Sequence, residues 1–284
     1  MKILIGENLQ AGRKLTDLMR LLADEQISLK PPLKWAGGKR WLVKHLYPLW
    51  QSHAQRRLVE PLCGGLAVAF GLSPDKALLN DINIHLINFF RQLGKGLVIE
   101  LPMENDSELY YYYRDRFNRL LDRGRAESHE AAELFYYLNR TGYNGLCRFN
   151  KKGRFNVPFG RYEKINYQRD FTAYQKLFTN WQLESVDFEE LPLKADDFIY
   201  ADPPYDVPFT NYSAGGFTWA DQVRLARRLA DHPGPVLLSN QATDRVVGLY
   251  RELGYKLQFF EAPRLISCNG NRTPAREVLA SRGV

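Results

Sequence analysis

Residues 198–205, with the sequence FIYADPPY, place a carboxylate, two prolines and a phenol directly after an apolar run. Asp and Pro both disfavour strand continuation, and each proline fixes φ and lacks an amide hydrogen. We therefore expect residues 202–205 to form a stiff, extended peptide just past a strand, with carbonyls that need donors from elsewhere. Such a peptide suits a site that holds an amino group by accepting its hydrogens. A proline-rich loop without chemistry explains the tetrapeptide alone equally well.

The segment EPLCGG, residues 60–65, is a second candidate for ligand contact. Gly64 and Gly65 follow a short apolar strand, and a glycine turn there lets a ligand approach the backbone closely. The turn lacks the GxGxxG spacing and the P-loop lysine, so neither a dinucleotide nor a nucleoside triphosphate is indicated. Asp81 ends the next apolar strand, where an acid can accept hydrogen bonds from ribose hydroxyls or cap a helix.

A basic segment at 139–162 contains no acid, and aromatic residues and asparagines lie between its cations. Its cationic residues are Arg140, Arg148, Lys151, Lys152, Arg154 and Arg161. This composition suits phosphate neutralisation combined with base-edge contacts and stacking. A solvated charged face is the alternative interpretation.

Alternating strand and helix patterns must position these segments. The strands are predicted at LVEP, ALLNDIN, FIYADPP and PVLLSN, with two terminal strands in KLQFFEAPRLISCN and REVLAS. Helices are predicted in LCGGLAVAFGL, IHLINFFRQL, WADQVRLARRLAD and ATDRVVGLYRELGY. This order is typical of an α/β fold with a parallel sheet and right-handed crossovers.

Two regions lie outside this alternation. Residues 95–173 are predicted to be helical at first, through LYYYYRDRF and ESHEAAELFYYLNR, and to form an inserted recognition region. Residues 1–30 form an N-terminal extension, in which Leu15, Leu18, Met19 and Leu22 fall at helical spacing. We expect a short amphipathic helix there.

Composition limits the classes of protein that fit. Lys and Arg outnumber Asp and Glu by 39 to 32, for a net charge of +7, which suits a polyanionic partner. Cys63, Cys147 and Cys268 are far apart and show neither zinc-site nor disulfide spacing. The chain has no run of about 18 apolar residues, and MKILIGENLQ lacks an apolar leader, so we expect a cytoplasmic protein without membrane contact.

Four motifs together carry a resemblance to a known family. KWAGGK at 34–39, EPLCGG at 60–65, NDIN at 80–83 and DPPY at 202–205 resemble the DNA adenine-N6 methyltransferases, and within them the Dam-type enzymes that methylate GATC. The order of the motifs is similar to the alpha group of these enzymes, and the resemblance covers about residues 31–284. It implies a Rossmann-like methyltransferase sheet, formed by residues 31–94 and 174–284, with a mostly helical target-recognition domain inserted at 95–173.

The resemblance implies S-adenosylmethionine as cofactor. The expected contacts are Trp35, Lys39, Glu60, Pro61, Gly64, Gly65, Asp81, Ile82, Asp187, Phe188 and Asp202. Lys39 is expected at the methionine carboxylate and Asp81 at the ribose. Ile82 is expected to pack on the adenine of the cofactor, which the pair Asp187 and Phe188 flanks.

The same resemblance implies roles for the DPPY residues. The Asp202 side chain and the Pro203 carbonyl each accept one hydrogen of an adenine amino group, Pro204 stiffens the peptide, and Tyr205 stacks on an adenine flipped out of the duplex. Methyl transfer from a sulfonium needs no metal, and we expect none.

Double-stranded DNA is the implied partner. The expected DNA contacts are Lys34, Tyr143, Asn144, Leu146, Arg148, Asn156, Pro158, Arg161 and Tyr162. Arg148 is expected on a guanine edge, Leu146 and Pro158 near the thymine methyl, and Lys34 and Tyr162 at the first guanine pair. Tyr143 is expected to insert into the base stack of the duplex where the flipped adenine was, and Asn144 is expected to fill or orient that vacated position.

Several alternatives remain open from the sequence. The loop after DPPY is shorter than is usual in Dam-type enzymes, and Arg154 stands where an acid is common. A longer site containing GAT, transfer to cytosine N4 or RNA, and a catalytically silent DNA-binding scaffold are the other candidate functions. We expect a monomer, nucleoid-associated or phage-encoded in a bacterial host.

Overall fold

The computed structural model describes residues 29–206, 216–262 and 275–284. The expected N-terminal helix, most of the loop after DPPY, and Cys268 lie outside the described residues. Contacts along the chain divide it into two compact units, Met1–Lys30 and Pro31–Val284. The elements below all belong to the second unit.

A seven-stranded sheet forms the centre of the described chain, with the order β3-β2-β1-β4-β5-β7-β6. Its strands are β1 (Leu58–Glu60), β2 (Ala77–Asn80), β3 (Trp181–Glu184), β4 (Phe198–Ala201), β5 (Val236–Gln241), β6 (Lys256–Ala262) and β7 (Ala275–Arg282). Strands β1 to β5 are parallel to one another, whereas β7 is antiparallel to both β5 and β6. The α/β class with a mainly parallel sheet is therefore confirmed.

The central strands β1, β2 and β4 are buried along their whole length, as expected for parallel strands covered on both faces. Alternate residues of β4 point to opposite faces. Ile199 packs in a cluster with Leu225 and Leu249 from two later helices, whereas Phe198 packs against Trp50 with ring centroids 5.0 Å apart. Burial from both sides fixes the strand ends that carry the site.

Eight α-helices accompany the sheet in the described residues. They are α1 (Val43–Gln51), α2 (Ala67–Leu72), α3 (Ile84–Gly94), α4 (Ser107–Asp122), α5 (His129–Thr141), α6 (Gln175–Phe178), α7 (Trp219–Ala230) and α8 (Asp244–Glu252). Several begin at side-chain caps that the sequence supplies, including Asp106 before α4 and a Thr218–Asp221 capping box at α7. The sequence patterns did not predict α1, α6 or β3.

Helices α4 and α5 lie in the region between the two halves of the sheet and pack directly on α3. Phe89 of α3 stacks on Tyr136 of α5 with ring centroids 5.6 Å apart. Tyr113 of α4 meets Tyr137 edge to face at 4.8 Å. This aromatic core joins the inserted helices to the helix that follows β2. The boundaries 95 and 173 stay a prediction.

A tight hairpin follows α5 and contains much of the basic segment. Asn156 N donates to the Arg148 carbonyl at 3.1 Å, and Phe149 and Phe155 form an isolated bridge. Asn150 closes the turn, because its side-chain oxygen accepts from the backbone amides of Lys152 and Arg154. The hairpin is thus shaped by local hydrogen bonds.

Candidate active site and nucleic-acid interface

The candidate active site lies where the strand order of the sheet reverses. The chain runs outward from β1 to β2 and β3, then returns to the other side of β1 with β4. Ligands of open parallel sheets bind at such a switch point, beyond the carboxyl ends of the strands. Glu60 ends β1 and Asp202 directly follows β4, so both acids lie at this edge.

The carboxylate of Asp202 is held by two donors at one of its oxygens. Lys39 Nζ lies 2.7 Å from Oδ1, and Ser239 Oγ donates to the same oxygen at 2.9 Å. Ser239 is fixed in turn by Tyr200, whose hydroxyl lies 2.8 Å from it. The Asp202 side chain retains 20% exposure, and no described residue donates a hydrogen bond to its second oxygen.

Lys39 is almost fully buried, at 3% exposure, and lies between two carboxylates. Its Nζ is 3.3 Å from Glu277 Oε1 and 4.7 Å from the ring centroid of Tyr205. The Tyr205 hydroxyl donates to Glu277 Oε2 at 2.6 Å. Lys39, Asp202, Tyr205 and Glu277, which we call the carboxylate cluster, therefore form one connected group.

The pKa values in the carboxylate cluster follow from burial and charge. Burial lowers the pKa of Lys39, but the charges of Asp202 and Glu277 outweigh it and hold that pKa above its ordinary value. Burial raises the pKa of Asp202, and Lys39 and Ser239 oppose the shift. Burial likewise raises the pKa of Glu277, again opposed by Lys39. The ammonium is thus a fixed positive charge beside two carboxylates.

The two proline carbonyls of DPPY differ in their partners. The carbonyl of Pro204 accepts a hydrogen bond from Gln222 Nε2 at 2.7 Å. No described residue donates to the carbonyl of Pro203. Gln222 is itself fixed by Asn240, whose Nδ2 donates to Gln222 Oε1 at 3.0 Å, so the peptide is held at Pro204.

The glycine turn after β1 is shaped by contact with Trp35. A Cβ placed on Gly64 would lie 2.8 Å from Trp35 Nε1, and one on Gly65 would lie 2.7 Å from Trp35 Cβ. Gly64 also has a φ of +48°, which a side chain disfavours. Both glycines are therefore needed for this turn to pack under the indole.

Asp81 fastens the glycine turn to the loop after β2. Its Oδ2 accepts from Gly64 N at 3.1 Å and its Oδ1 from Asn83 N at 2.9 Å. The helix cap of α3 is Asn83, whose side chain accepts from His85 N and Leu86 N. The alternative interpretation of Asp81 as a helix cap is wrong, because Asn83 occupies that position.

The residues around this edge fit an adenosine-containing sulfonium cofactor. Oε1 of Glu60 is buried and has no hydrogen-bond partner among the described residues, so it is available to a donor such as an ammonium. Burial and the nearby Asp202 raise the pKa of Glu60. Ile82 is 60% exposed and presents an apolar surface beside Asp81. An orphaned acid, a glycine turn and an exposed aliphatic side chain match the parts of S-adenosylmethionine.

Asp187 and Phe188 are positioned by residues that the sequence patterns did not reveal. Asn80 bridges two loops, since its Nδ2 donates to the carbonyls of Pro61 and Val186 at 2.9 and 3.0 Å. Arg224 binds Asp187 Oδ1 at 3.0 Å and lies 4.9 Å from the Phe188 ring centroid. The pair therefore comes to the same edge as Asp81.

The first residues of the described chain are pinned to the recognition region. Lys34 N donates to Asn139 Oδ1 at 2.9 Å, and Asn139 Nδ2 donates to the Lys34 carbonyl at 2.8 Å. Lys34 Nζ lies 3.8 Å from the ring centroid of Tyr162, whose hydroxyl donates to the Gly142 carbonyl. Burial, with the charge of Arg140, lowers the pKa of Lys34 to about 8.

The hairpin presents Arg148 at the surface. Its Nε donates to Asn156 Oδ1 at 2.9 Å and its Nη2 to the Asn156 carbonyl at 3.1 Å. Pro158 and Arg161 are also exposed, Leu146 and Asn144 are half-buried, and Tyr143 is 46% exposed. Tyr143 N donates to the Pro158 carbonyl, which brings these two expected DNA contacts together.

Arg140 does not belong to that surface. Its Nε donates to the Asn166 carbonyl at 2.5 Å and its Nη1 to the Pro32 carbonyl at 3.3 Å. Arg140 therefore stabilises the chain internally, and the basic segment has one phosphate candidate fewer than the sequence indicates. Arg154 lies 3.7 Å from Asp122, where α4 ends.

Ser239 and Glu277 are two further site residues that the sequence patterns missed. Ser239 is in an apolar strand and Glu277 is in the predicted terminal strand REVLAS. Because β7 runs antiparallel to β5, its first residues lie at the carboxyl edge of the parallel strands. The signal that could have found Glu277 is an acid at the start of an otherwise apolar strand.

Within residues 29–206, 216–262 and 275–284, no group of His, Cys, Asp or Glu side chains could hold a metal ion. No helix in the same residues is long and apolar enough to cross a membrane.

Comparison with known proteins agrees with this geometry. The sequence model of the D12 class N6 adenine-specific DNA methyltransferases matches residues 35–262. The type II methyltransferase M1.LlaDCHI of Lactococcus lactis is 37% identical, over 91% of this chain and 95% of its own. The DNA adenine methylases of Vibrio cholerae and Escherichia coli K12 are 38% and 35% identical, each over 87% of this chain and over 94% and 93% of their own lengths. The chain belongs to the D12 class N6 adenine-specific DNA methyltransferases.

Proposed function

We propose that the protein transfers the methyl group of S-adenosylmethionine to N6 of an adenine rotated out of double-stranded DNA, within the sequence GATC. The carboxylate of Asp202 carries this proposal. Lys39 and Ser239 occupy its Oδ1, at 2.7 and 2.9 Å, and no described residue donates a hydrogen bond to its Oδ2 or to the carbonyl of the following Pro203. Two acceptors at that place suit the two hydrogens of one amino group.

The acceptors address the central difficulty of the reaction. The lone pair of adenine N6 is delocalised into the ring, so the amino group is a poor nucleophile. Asp202 Oδ2 and the Pro203 carbonyl would each accept one hydrogen and favour a more tetrahedral nitrogen whose lone pair faces the methyl group. When bound, S-adenosylmethionine would supply that methyl from a sulfonium, with a neutral thioether as the leaving group. As the bond from N6 to the methyl carbon forms, the carbon–sulfur bond would break, and the nitrogen would lose one of its two protons to solvent. The protein's contribution is positioning and electrostatics.

Residues along the carboxyl edge would hold the cofactor. Glu60, with its orphaned Oε1, is available to the methionine ammonium, and the Gly64–Gly65 turn gives space against Trp35. Asp81 retains acceptor capacity for ribose hydroxyls, and Ile82 would pack on the adenine of the cofactor. The contact of Lys39 with the methionine carboxylate stays a prediction, since its described contacts are to protein acceptors and the Tyr205 ring.

The surface around the hairpin would read the duplex. Arg148 would grip guanine in the major groove, with its guanidinium plane preset by Asn156. Tyr143 would fill the stack that the adenine leaves, and Tyr205 would stack on the displaced base. The names of the Vibrio cholerae and Escherichia coli relatives support adenine in DNA as the substrate of this chain.

A duplex panel tests this proposal. Purified protein and labelled S-adenosylmethionine are incubated at one salt concentration with a GATC duplex, its single-base variants and a duplex with GATATC. We expect label in N6-methyladenine from GATC alone. Label only in the longer GAT-containing duplex would overturn the site but keep the reaction. Cofactor binding without label in any duplex would favour RNA as substrate or a silent scaffold, and label in cytosine would contradict adenine as target.

A further inference from the structure

Glu277 is a fully buried acid that the roles proposed above do not use. It is at 0% exposure in β7, where its register partner is Gln241 of β5. A buried carboxylate is unfavourable unless charges and hydrogen bonds compensate it. An acid at this position therefore calls for partners inside the protein.

Both oxygens of Glu277 point at residues of the active site. Oε2 accepts from the Tyr205 hydroxyl at 2.6 Å, and Oε1 lies 3.3 Å from Lys39 Nζ. Through Lys39 the acid reaches Asp202, because the same Nζ lies 2.7 Å from Asp202 Oδ1. Glu277 thus contacts the last residue of DPPY directly and the first through one ammonium.

The position of Glu277 determines how the positive charge of Lys39 is divided between Asp202 and Glu277. If Lys39 paired with Asp202 alone, its ammonium could move over the carboxylate and reduce the ability of the second oxygen to accept a hydrogen. A second carboxylate on the far side of the ammonium keeps Nζ at Oδ1. The Tyr205 hydroxyl, held by the same acid, fixes the plane of the ring that would stack on the base.

We propose that Glu277 is a positioning residue for methyl transfer, which holds Lys39 and Tyr205 so that one oxygen of Asp202 stays available to the adenine amino group. This inference rests on the proposed function. Glu277 reaches the reacting atoms only through Lys39, Asp202 and Tyr205. It should therefore affect the chemical step and not the affinity for DNA.

The test compares Glu277→Gln and Glu277→Asp with Glu261→Gln, a matched change at an exposed acid of β6. Single-turnover methyl transfer is measured on a GATC duplex with saturating S-adenosylmethionine, together with DNA affinity and thermal unfolding. We expect Glu277→Gln to slow transfer at least about tenfold with DNA affinity changed less than about twofold. Glu277→Asp should recover part of the rate, and Glu261→Gln should match wild type.

The pH profile separates positioning from a merely structural role. The charge of Asp202 raises the pKa of Glu277, and both acids share the Lys39 ammonium. Without the Glu277 charge that ammonium interacts with Asp202 alone, which should lower the pKa of Asp202. The acid limb of the single-turnover rate should then move to lower pH in Glu277→Gln. A wild-type rate with an unmoved acid limb would overturn the inference.

A second variant covers the case in which Glu277→Gln does not fold. Tyr205→Phe keeps the ring and removes the hydroxyl that Glu277 holds, and we expect it to slow single-turnover transfer several-fold at unchanged DNA affinity. Wild-type transfer by Tyr205→Phe would then refute the positioning role. The measurement on the wild-type protein separates the two proposals. If the wild-type protein forms no N6-methyladenine, the proposed function is wrong, and the positioning role is wrong with it.

Discussion

At the scale of single residues, Arg148 shows how the hairpin prepares a contact before DNA arrives. Two hydrogen bonds to Asn156, at 2.9 and 3.1 Å, orient an exposed guanidinium. A preset planar donor loses less conformational freedom on binding a guanine edge than a free arginine would. We therefore propose that Arg148 reads a base and that the exposed lysines of the hairpin turn contact phosphates.

Arg148→Ala should relax discrimination at one base pair. We expect a loss of about 1–3 kcal/mol of preference for guanine at that position, measured as the ratio of kcat/KM for matched and changed duplexes. Lys151→Ala in the same hairpin is the control. It should weaken binding to all duplexes and reduce the slope of the log binding constant against log salt concentration by about one. Uniform weakening by Arg148→Ala would make it a phosphate contact instead.

Residue patterns predicted part of the site and not the rest. The local composition of DPPY, unusual for a strand end, indicates Asp202, whereas Lys39 is expected only through the family resemblance that KWAGGK helps to carry. Ser239 and Glu277 carry no such signal. They come together only when β5 and β7 pair antiparallel, a register that depends on contacts distant in sequence.

At the scale of elements, the junction between residue 34 and the turn after α5 requires a glycine. Gly145 has a φ of +63°, and a Cβ there would lie 2.4 Å from Lys34 Cβ. Lys34 is in turn fixed by Asn139, so it has little room to move. The sequence patterns predict α5 but not this close approach, which exists only in the folded chain.

Gly145→Ala should therefore destabilise the protein and weaken specific DNA binding. The control is Gly124→Ala, since Gly124 has a similar φ of +67° with nothing near its Cβ position. Both variants should lose about 1–2 kcal/mol from the left-handed backbone, and Gly145→Ala about 1–3 kcal/mol more from the overlap. Chemical denaturation and DNA titration measure both effects. Equal losses would contradict a packing role for Gly145.

At the scale of the whole molecule, the cofactor edge and the recognition hairpin are joined through α3. His85 of α3 stacks on Phe149 with ring centroids 4.7 Å apart, and Asn83 Nδ2 lies 3.4 Å from Cys147 Sγ. The order of strands and helices was predictable from the alternating apolar segments. The contact between α3 and the hairpin was not, because these two elements meet only in the tertiary fold. Burial of His85 at the junction lowers its pKa to about 4.

The contribution of His85 to stability should consequently fall as pH is lowered. The folded-state pKa of His85 lies below its ordinary value of 6.5, so the unfolded chain binds more protons between about pH 6.5 and pH 4. From pH 7 to pH 5 the wild type should lose about 1–2 kcal/mol more unfolding free energy than His85→Phe, which keeps the stacking. Urea denaturation at both pH values measures this, and identical pH dependence in the two proteins would exclude His85 as the cause.

The most direct test of the proposed chemistry is the single-turnover rate of Asp202→Asn on a GATC duplex. The control is Asp196→Asn, an exposed acid in the turn before β4. If the carboxylate accepts an amino hydrogen in the transition state, the rate should fall about 10²–10³-fold, while cofactor and DNA affinities stay within about threefold. Asp196→Asn should keep the wild-type rate. Near-wild-type formation of N6-methyladenine by Asp202→Asn would show that the carboxylate does not perform this chemistry.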